Sequence, residues 1–427
     1  MIISFKTKGN VHEKNALFTV SLLSVFISLS CYAHQDVILH SDSLSDAKVS
    51  INDDTWKTQI EVINTNQDGT AHIYYDRLDV GDFGLSLKNN AEAELIINEV
   101  VSKKLSILRG ELELQGKKAT VVIANPNGII CHDCSFSGID DIKLITGSST
   151  GKFSKKFTIT DASASFSFSN EEPRNKFMNL KHVYKDISSE KINIISNRVI
   201  LNEGDLNAKY IHFDIGLSEF TIGAKNNYNT IGNFIIDKEA GINSRYLLIK
   251  ATHGRVENSG NIRTLTLDNE SYYLFNYGNI DINTGDNLYR TADDDYKSSK
   301  IIVLTRYVGS NKSSFNIKDS NLLMKATYAY LDKKINLDNS YFTVDVERIS
   351  IGNVKLSDNS NFFILSDKNI SLRGKIRGYG HVILELNDDY MDIKNKKMLI
   401  GTDKSKLEGG TKYKLGRSTI IDYTEYK

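Results

Sequence analysis

The chain has 427 residues with 53 basic and 53 acidic side chains, so no global field draws it towards nucleic acid or an anionic membrane. A hydrophobic content of 40% belongs to a folded protein and excludes wholesale disorder. Twenty-one tyrosines and 18 phenylalanines, set against only 2 prolines, suit β-strands separated by tight polar turns.

The first element is a leader. Lys6, Lys8 and Lys14 precede the charge-free run Ala16 to Ser30, and Ala33 stands where a signal peptidase cuts. Residues 1–33 are expected to be a signal peptide, with a mature chain from His34. The apolar run falls short of the roughly 20 residues that a spanning helix needs. Lipidation of Cys31 is a poorer reading, because Ser28-Leu29-Ser30 is a weak approach to a lipidation site. Export of this kind leads into an oxidising periplasm.

Beyond the leader, helical periodicity is nearly absent. Short apolar runs such as GELELQG (110–116) and KINIISNRVI (191–200) alternate with Gly, Asn, Asp or Ser. Repeats decide the architecture. Ser320, Ser340 and Ser360 step by 20 residues, each ahead of a pair of large apolar side chains. Gly380 continues the series, and Ser271 reads as an earlier copy separated by irregular turns. Gly-Asn-Ile occurs at 260–262 and 278–280, with looser copies at 232–234 and 352–354. A period near 20 fits one rung of a parallel β-helix, of which the mature chain holds at most roughly twenty. Proline would remove a ladder donor, which explains its scarcity.

The stretch VVIANPNGIICHDC (121–134) holds one of the two prolines and two of the three cysteines. Asn125, Pro126, Asn127 and Gly128 carry the residue preferences of a β-turn, position by position. The preceding strand, TVVIA, is almost wholly apolar, as expected where both faces are covered. Cys131 and Cys134 read best as a short disulfide clasp beside the turn. A redox-active pair would prefer a helix start, and a zinc site needs two further ligands, with only His132 close. GSSTGKFSKK (147–156) and FSNEEPRNKFMN (168–179) are expected to leave the helix as small excursions.

Residues 89–147 closely resemble the amino-terminal secretion domain of filamentous-haemagglutinin-type exoproteins, which include haemolysins and contact-dependent-inhibition proteins of the two-partner secretion pathway. The similar elements fall in order: Asn98-Glu99-Val100, a turn from Ser106 to Gly110, Gly116, Lys118-Ala119, Asn125 to Ile129, Cys131, Cys134, Phe136 and Leu144 to Gly147. Upstream, DRLDVGDFGLSLKNN is similar to the family's paired strands, with Leu78 and Asp79 in place of Phe and Asn. Downstream, residues 192–216 resemble its closing rungs. One family element, an Asn-Pro-Asn-Leu motif, is missing: the chain runs from Asn90 straight into AEAELIINEV.

The resemblance implies an all-β fold, a right-handed single-stranded parallel β-helix with small extra-helical hairpins. It divides the chain into a leader (1–33), a secretion domain (34–225) and continuing rungs (226–427) that end in a cap or a truncation. It implies a partner, an outer-membrane β-barrel transporter in a bacterium with two membranes, that exports the chain to the cell surface or beyond. The secretion motif would comprise Asn98, Glu99, Val100, Asn125, Pro126, Asn127, Gly128 and Ile129. Outside, a monomeric adhesin- or haemolysin-like protein would act by binding a host or neighbouring cell, with no nucleic-acid partner, cofactor or metal. The alternative is a β-helical polysaccharide-binding protein or polysaccharide-degrading enzyme. Its acidic candidates, Asp140-Asp141 and ADDDYK (292–297), sit in turn-like stretches with no basic residue tied to them. No enzymatic activity is therefore expected.

Overall fold

The computed structural model describes residues 36–132, 134–169, 190–283, 299–310, 314–372, 374 and 376–386, and four short strands between 397 and 422. The leader, residues 170–189 and the ADDDYK stretch lie outside the described residues. What is described winds into a parallel β-helix. One continuous ladder of parallel pairs runs from His72 through Val122, His212 and Thr343 to Lys414, crossing fourteen rungs. At about 4.8 Å per rung the stack is roughly 60 Å long.

The steps along this ladder are unequal. Leu323, Thr343, Phe363 and Ile383 follow one another in register, 20 residues apart. Lys143 pairs with Asn193, and His212 with Leu248, so far more chain separates those rungs. The surplus leaves the helix and builds a three-stranded antiparallel sheet from Gly147–Ser149, Lys156–Ile159 and Glu219–Thr221. The expected excursion at 147–156 is therefore a hairpin. Of the second expected excursion, Phe168 and Ser169 stay in the helix and the remainder lies outside the described residues; strand Phe166–Ser169 pairs with Ile129–His132 and with Val199 to Leu201. Its alternation explains this: Phe166 and Phe168 are both buried in the core.

Inside the coil each apolar side chain rests on its counterpart in the next rung. Leu322, Phe342, Phe362 and Val382 form one such column, and the rings of Phe342 and Phe362 lie 5.2 Å apart. Burying each phenylalanine contributes about 2–3 kcal/mol. Polar columns run alongside. Asn336 donates to Asn316 at 2.6 Å, Asn243 to Asn207 at 2.8 Å, and buried Asn258 to Asn276 at 2.7 Å.

Two repeat assignments change. Ser320, Ser340 and Ser360 do stack, with Ser320 N–H donating to Ser340 Oγ at 3.1 Å. Ser271 is not in that column; it pairs with Thr305, which pairs with Ala326. The reason is the preceding residue. Asp319, Asn339 and Asn359 take left-handed conformations (φ 51°, 47° and 64°) that turn the chain at each serine corner, and Glu270 does not. Likewise, Asn261, Asn279 and Asn353 share one register, whereas Asn233 pairs with Arg198 on another face.

At the amino-terminal end a second sheet stacks Thr58–Val62, Leu85–Asn89, Glu111–Gly116 and Ser135–Ser137 in parallel, and antiparallel Ala47–Ile51 finishes its edge. Val37–Leu39 closes the other sheet by running antiparallel to Thr70–Leu78. Where the family motif is missing, Asn89 closes a tight corner instead: its side chain donates to Ala93 O and accepts from Ala93 N, both at 2.8 Å.

Candidate functional site

Strand Thr120–Ala124 is apolar on both faces because each face has its own core. Val121 and Ile123 point into the helix. Val122 and Ala124 point outward, where Phe157, Ile159, Leu217 and Phe220 of the extra-helical layer cover them together with Leu95, Ile97, Ile145 and Ile195. The strand therefore delivers Asn125 to a corner held from two sides.

Asn125 is fully buried. Its Nδ2 donates to Lys104 O and to Ser106 Oγ, each at 3.0 Å, and its Oδ1 accepts from Asn127 N at 2.8 Å. Gly128 N donates to Asn125 O at 3.2 Å, which closes the β-turn. Asn127, half-buried, donates through Nδ2 to Ser102 O at 2.8 Å. Pro126 O accepts from Thr160 Oγ1 at 3.0 Å. Gly128 has φ of 118°, and a Cβ there would stand 2.9 Å from Ser165 O, so only glycine fits without displacement. Ile129 then enters the core fully buried. The corner binds segment 102–106 on one side and 160–165 on the other. Ser106, expected in a turn, lies instead in strand Ser106–Leu108, because its backbone pairs in parallel with Ile129 to Cys131, and its hydroxyl accepts from Asn125.

Cys131 and Cys134 follow at once, joined by a disulfide with Cα atoms 5.3 Å apart, both buried. Among the described residues no group of three His, Cys, Asp or Glu side chains is placed to hold a metal ion.

The other half of the motif lies in strand Leu95–Val100, whose six residues are all buried. Asn98 points inward, donates to Val122 O at 3.1 Å and accepts from Tyr75 Oη at 2.9 Å. Val100 joins the core. Glu99 points outward to the hairpin. Its carboxylate accepts from Ser149 N at 2.9 Å, Ser149 Oγ at 2.6 Å and His72 Nε2 at 2.8 Å. The N–H of Phe153 donates to His72 Nδ1 at 2.8 Å, which leaves the ring proton on Nε2, facing Glu99. Lys152 Nζ reaches Asp46 at 2.9 Å and ties the hairpin tip to the amino-terminal cap. A Glu, a His and a Ser thus meet, but the hydroxyl bonds to the carboxylate and not to the imidazole, and the Glu and the His are buried. This arrangement anchors; it does not activate a nucleophile.

The sequence pointed to Glu99 but not to His72, Ser149 or Phe153, which lie 27, 50 and 54 residues away and share no spacing with it. Asp79 is also explained by its neighbours: Arg77 Nε sits 2.7 Å from its carboxylate, which accepts from Ile107 N at 2.8 Å. Of the acidic pair, Asp140 is exposed and bonded to Lys118, and Asp141 starts a strand and is bonded to Lys143.

The family model described as the TPS secretion domain matches residues 36–304. The chain belongs to the two-partner secretion family. This secretion-domain protein is similar to a hemolysin of Proteus mirabilis, 28% identical over 162 residues that cover 33% of this chain and 10% of that one. It is also similar to the 16S rRNA endonuclease CdiA of Enterobacter cloacae, 34% identical over 110 residues, covering 21% of this chain and 3% of that one. Among solved structures, the HMW1 secretion domain from Haemophilus influenzae aligns with 82% of this chain and 94% of its own at 14% identity, with a TM-score of 0.42. This chain thus spans a tenth or less of the length of those two relatives. As a two-partner secretion exoprotein it is destined for the cell surface or the extracellular space.

Proposed function

We propose that an outer-membrane β-barrel transporter of the two-partner type carries this chain out, and that it then works by binding, as an adhesin- or haemolysin-like protein without catalysis. Residues 1–33 are the signal peptide, residues 34–225 the secretion domain and residues 226–427 a shaft of continuing rungs. The family match runs on to 304 and so includes the first rungs of that shaft. The protein acts as a monomer on a host or neighbouring cell surface, with no nucleic-acid partner.

One observation carries the reading of the motif. In the fold the carboxamides of Asn98, Asn125 and Asn127 and the carboxylate of Glu99 are all engaged within the chain. That supports recognition of Asn98 to Val100 and Asn125 to Ile129 as open chain, before the corner closes. Closing it outside withdraws these groups and favours outward movement, since each stacked rung buries further apolar surface. The disulfide suits such threading, because it encloses only two residues.

The test is a secretion assay with and without the cognate transporter. The chain is expected outside the cell only with the barrel, and Asn127→Ala is expected to lower the exported fraction. Undiminished export in a strain lacking every such barrel overturns the proposal.

A further inference from the structure

Strands Asp141–Ile145 and Lys191–Ile195 lie on successive rungs, and Lys143 pairs in register with Asn193. Their neighbours Ile142, Leu144, Ile192 and Ile194 point into the core, so Lys143 and Asn193 face outward. There they line the floor of a groove that runs past Lys250 to residues 220–228, yet both are buried. Val122 flanks Lys143 on the rung below. The export motif uses neither residue.

Asp141 joins the two. Its Oδ1 accepts from Lys143 Nζ at 3.0 Å and its Oδ2 from the same nitrogen at 2.9 Å, while Asn193 Nδ2 also donates to Oδ1. Two nitrogens held on one oxygen are close neighbours, and the carboxamide carbon of Asn193 is one bond from the second. Burial holds the Lys143 ammonium below the usual lysine range despite the opposing charge of Asp141, and Lys191 adds to the lowering. A desolvated lysine beside another cation is the form in which an amine becomes nucleophilic. Lys191 itself lies 3.7 Å from Asp141 but is half exposed, and so keeps its hydration.

We propose that the folded chain joins Lys143 to Asn193 through an isopeptide bond, with Asp141 carrying the protons. The Lys143 ammonium gives a proton to Asp141, and the free amine adds to Cγ of Asn193. Asp141 passes that proton to Nδ2, the Cγ–Nδ2 bond breaks, and the Nζ–Cγ bond remains as an amide. The new amide nitrogen returns its spare proton to Asp141, and ammonia takes it away as ammonium through the open groove. Neither an oxidant nor a cofactor is needed. The reaction happens once in each chain and is not turnover. Only stacked rungs bring the two residues together, so the bond follows folding and locks the rungs on either side of the hairpin at 147–159. It needs no transporter and stands or falls separately from export.

The experiment is intact mass and tryptic mapping of the purified, folded full chain after reduction. The chain is expected to be one ammonia lighter than its sequence. Trypsin passes over an acylated lysine, so a branched peptide should join residues 119–152 to residues 192–198. Lys143→Arg and Asp141→Ala should each restore the full mass, and Lys191→Arg should keep the branched peptide. Full mass in the folded parent, ammonia loss mapped to another residue such as Asn127, or a branched peptide that persists in Asp141→Ala overturns the proposal.

Discussion

Glu99 and Ser149 meet at 2.6 Å across fifty positions of chain, and their contact fastens the extra-helical hairpin to the wall of the β-helix. The same carboxylate holds His72, whose other nitrogen holds the hairpin tip at Phe153. Glu99→Gln keeps the shape but removes the charge from one buried and two half-buried hydrogen bonds, a loss of about 2 kcal/mol. Hydrogen exchange is the measurement. The amides of Ser149 and Phe153 should exchange faster, while the column through Phe342 and Phe362 keeps its protection. Equal protection in variant and parent would refute the anchoring role.

The two asparagines of the corner should differ. Asn125→Ala strands Lys104 O, Ser106 Oγ and Asn127 N in or near the core, at a cost of about 3 kcal/mol. Asn127→Ala loses a half-buried bond to Ser102 O and costs about 1 kcal/mol. Urea unfolding of refolded protein separates them. If Asn127→Ala blocks export yet Asn125→Ala is the variant that unfolds more readily, recognition and stability are divided between neighbouring positions.

Alkaline pH should loosen the fold through Tyr75. Burial raises this tyrosine well above the usual range, so the native state keeps a proton that the unfolded chain gives up near pH 10. Stability is then full below about pH 10 and falls as the pH rises beyond it, by at most about 1.4 kcal/mol per pH unit from this group. Tyr75→Phe should remove that part of the slope and cost about 1 kcal/mol at neutral pH, because Asn98 Oδ1 loses its donor. A slope unchanged in Tyr75→Phe would count against it.

Removing the disulfide should be tolerated. A loop this short contributes about 2 kcal/mol on the chain-entropy model, and the stacked core around it remains. The Cys131→Ala, Cys134→Ala double variant is expected to keep its strand circular dichroism and to unfold at lower urea. Complete loss of structure would show that the pair does more than clasp a corner.

The corners that set the rung spacing are readable residue by residue, because each needs a side chain suited to it. Asp319, Asn339 and Asn359 tolerate a left-handed backbone, and the serine after each bonds locally. Ser271 misled because its neighbours look alike while the residue before it does not turn the chain. The Asn125 corner was equally legible, down to Gly128. The partners of Glu99 were not. Its contacts depend on steps of 25 and 50 residues between rungs, and nothing local encodes those lengths.

Alone, the order of residues determined that this polypeptide coils: alternation chooses the inward side chains, and turn-forming residues mark where each rung bends. Three-dimensional packing decided what happens on the outside of the coil. An outward side chain meets either water or an excursion returning from a distant rung, so covering Val122 with Phe157, or opening a groove beside Lys250, depends on contacts that no short segment carries.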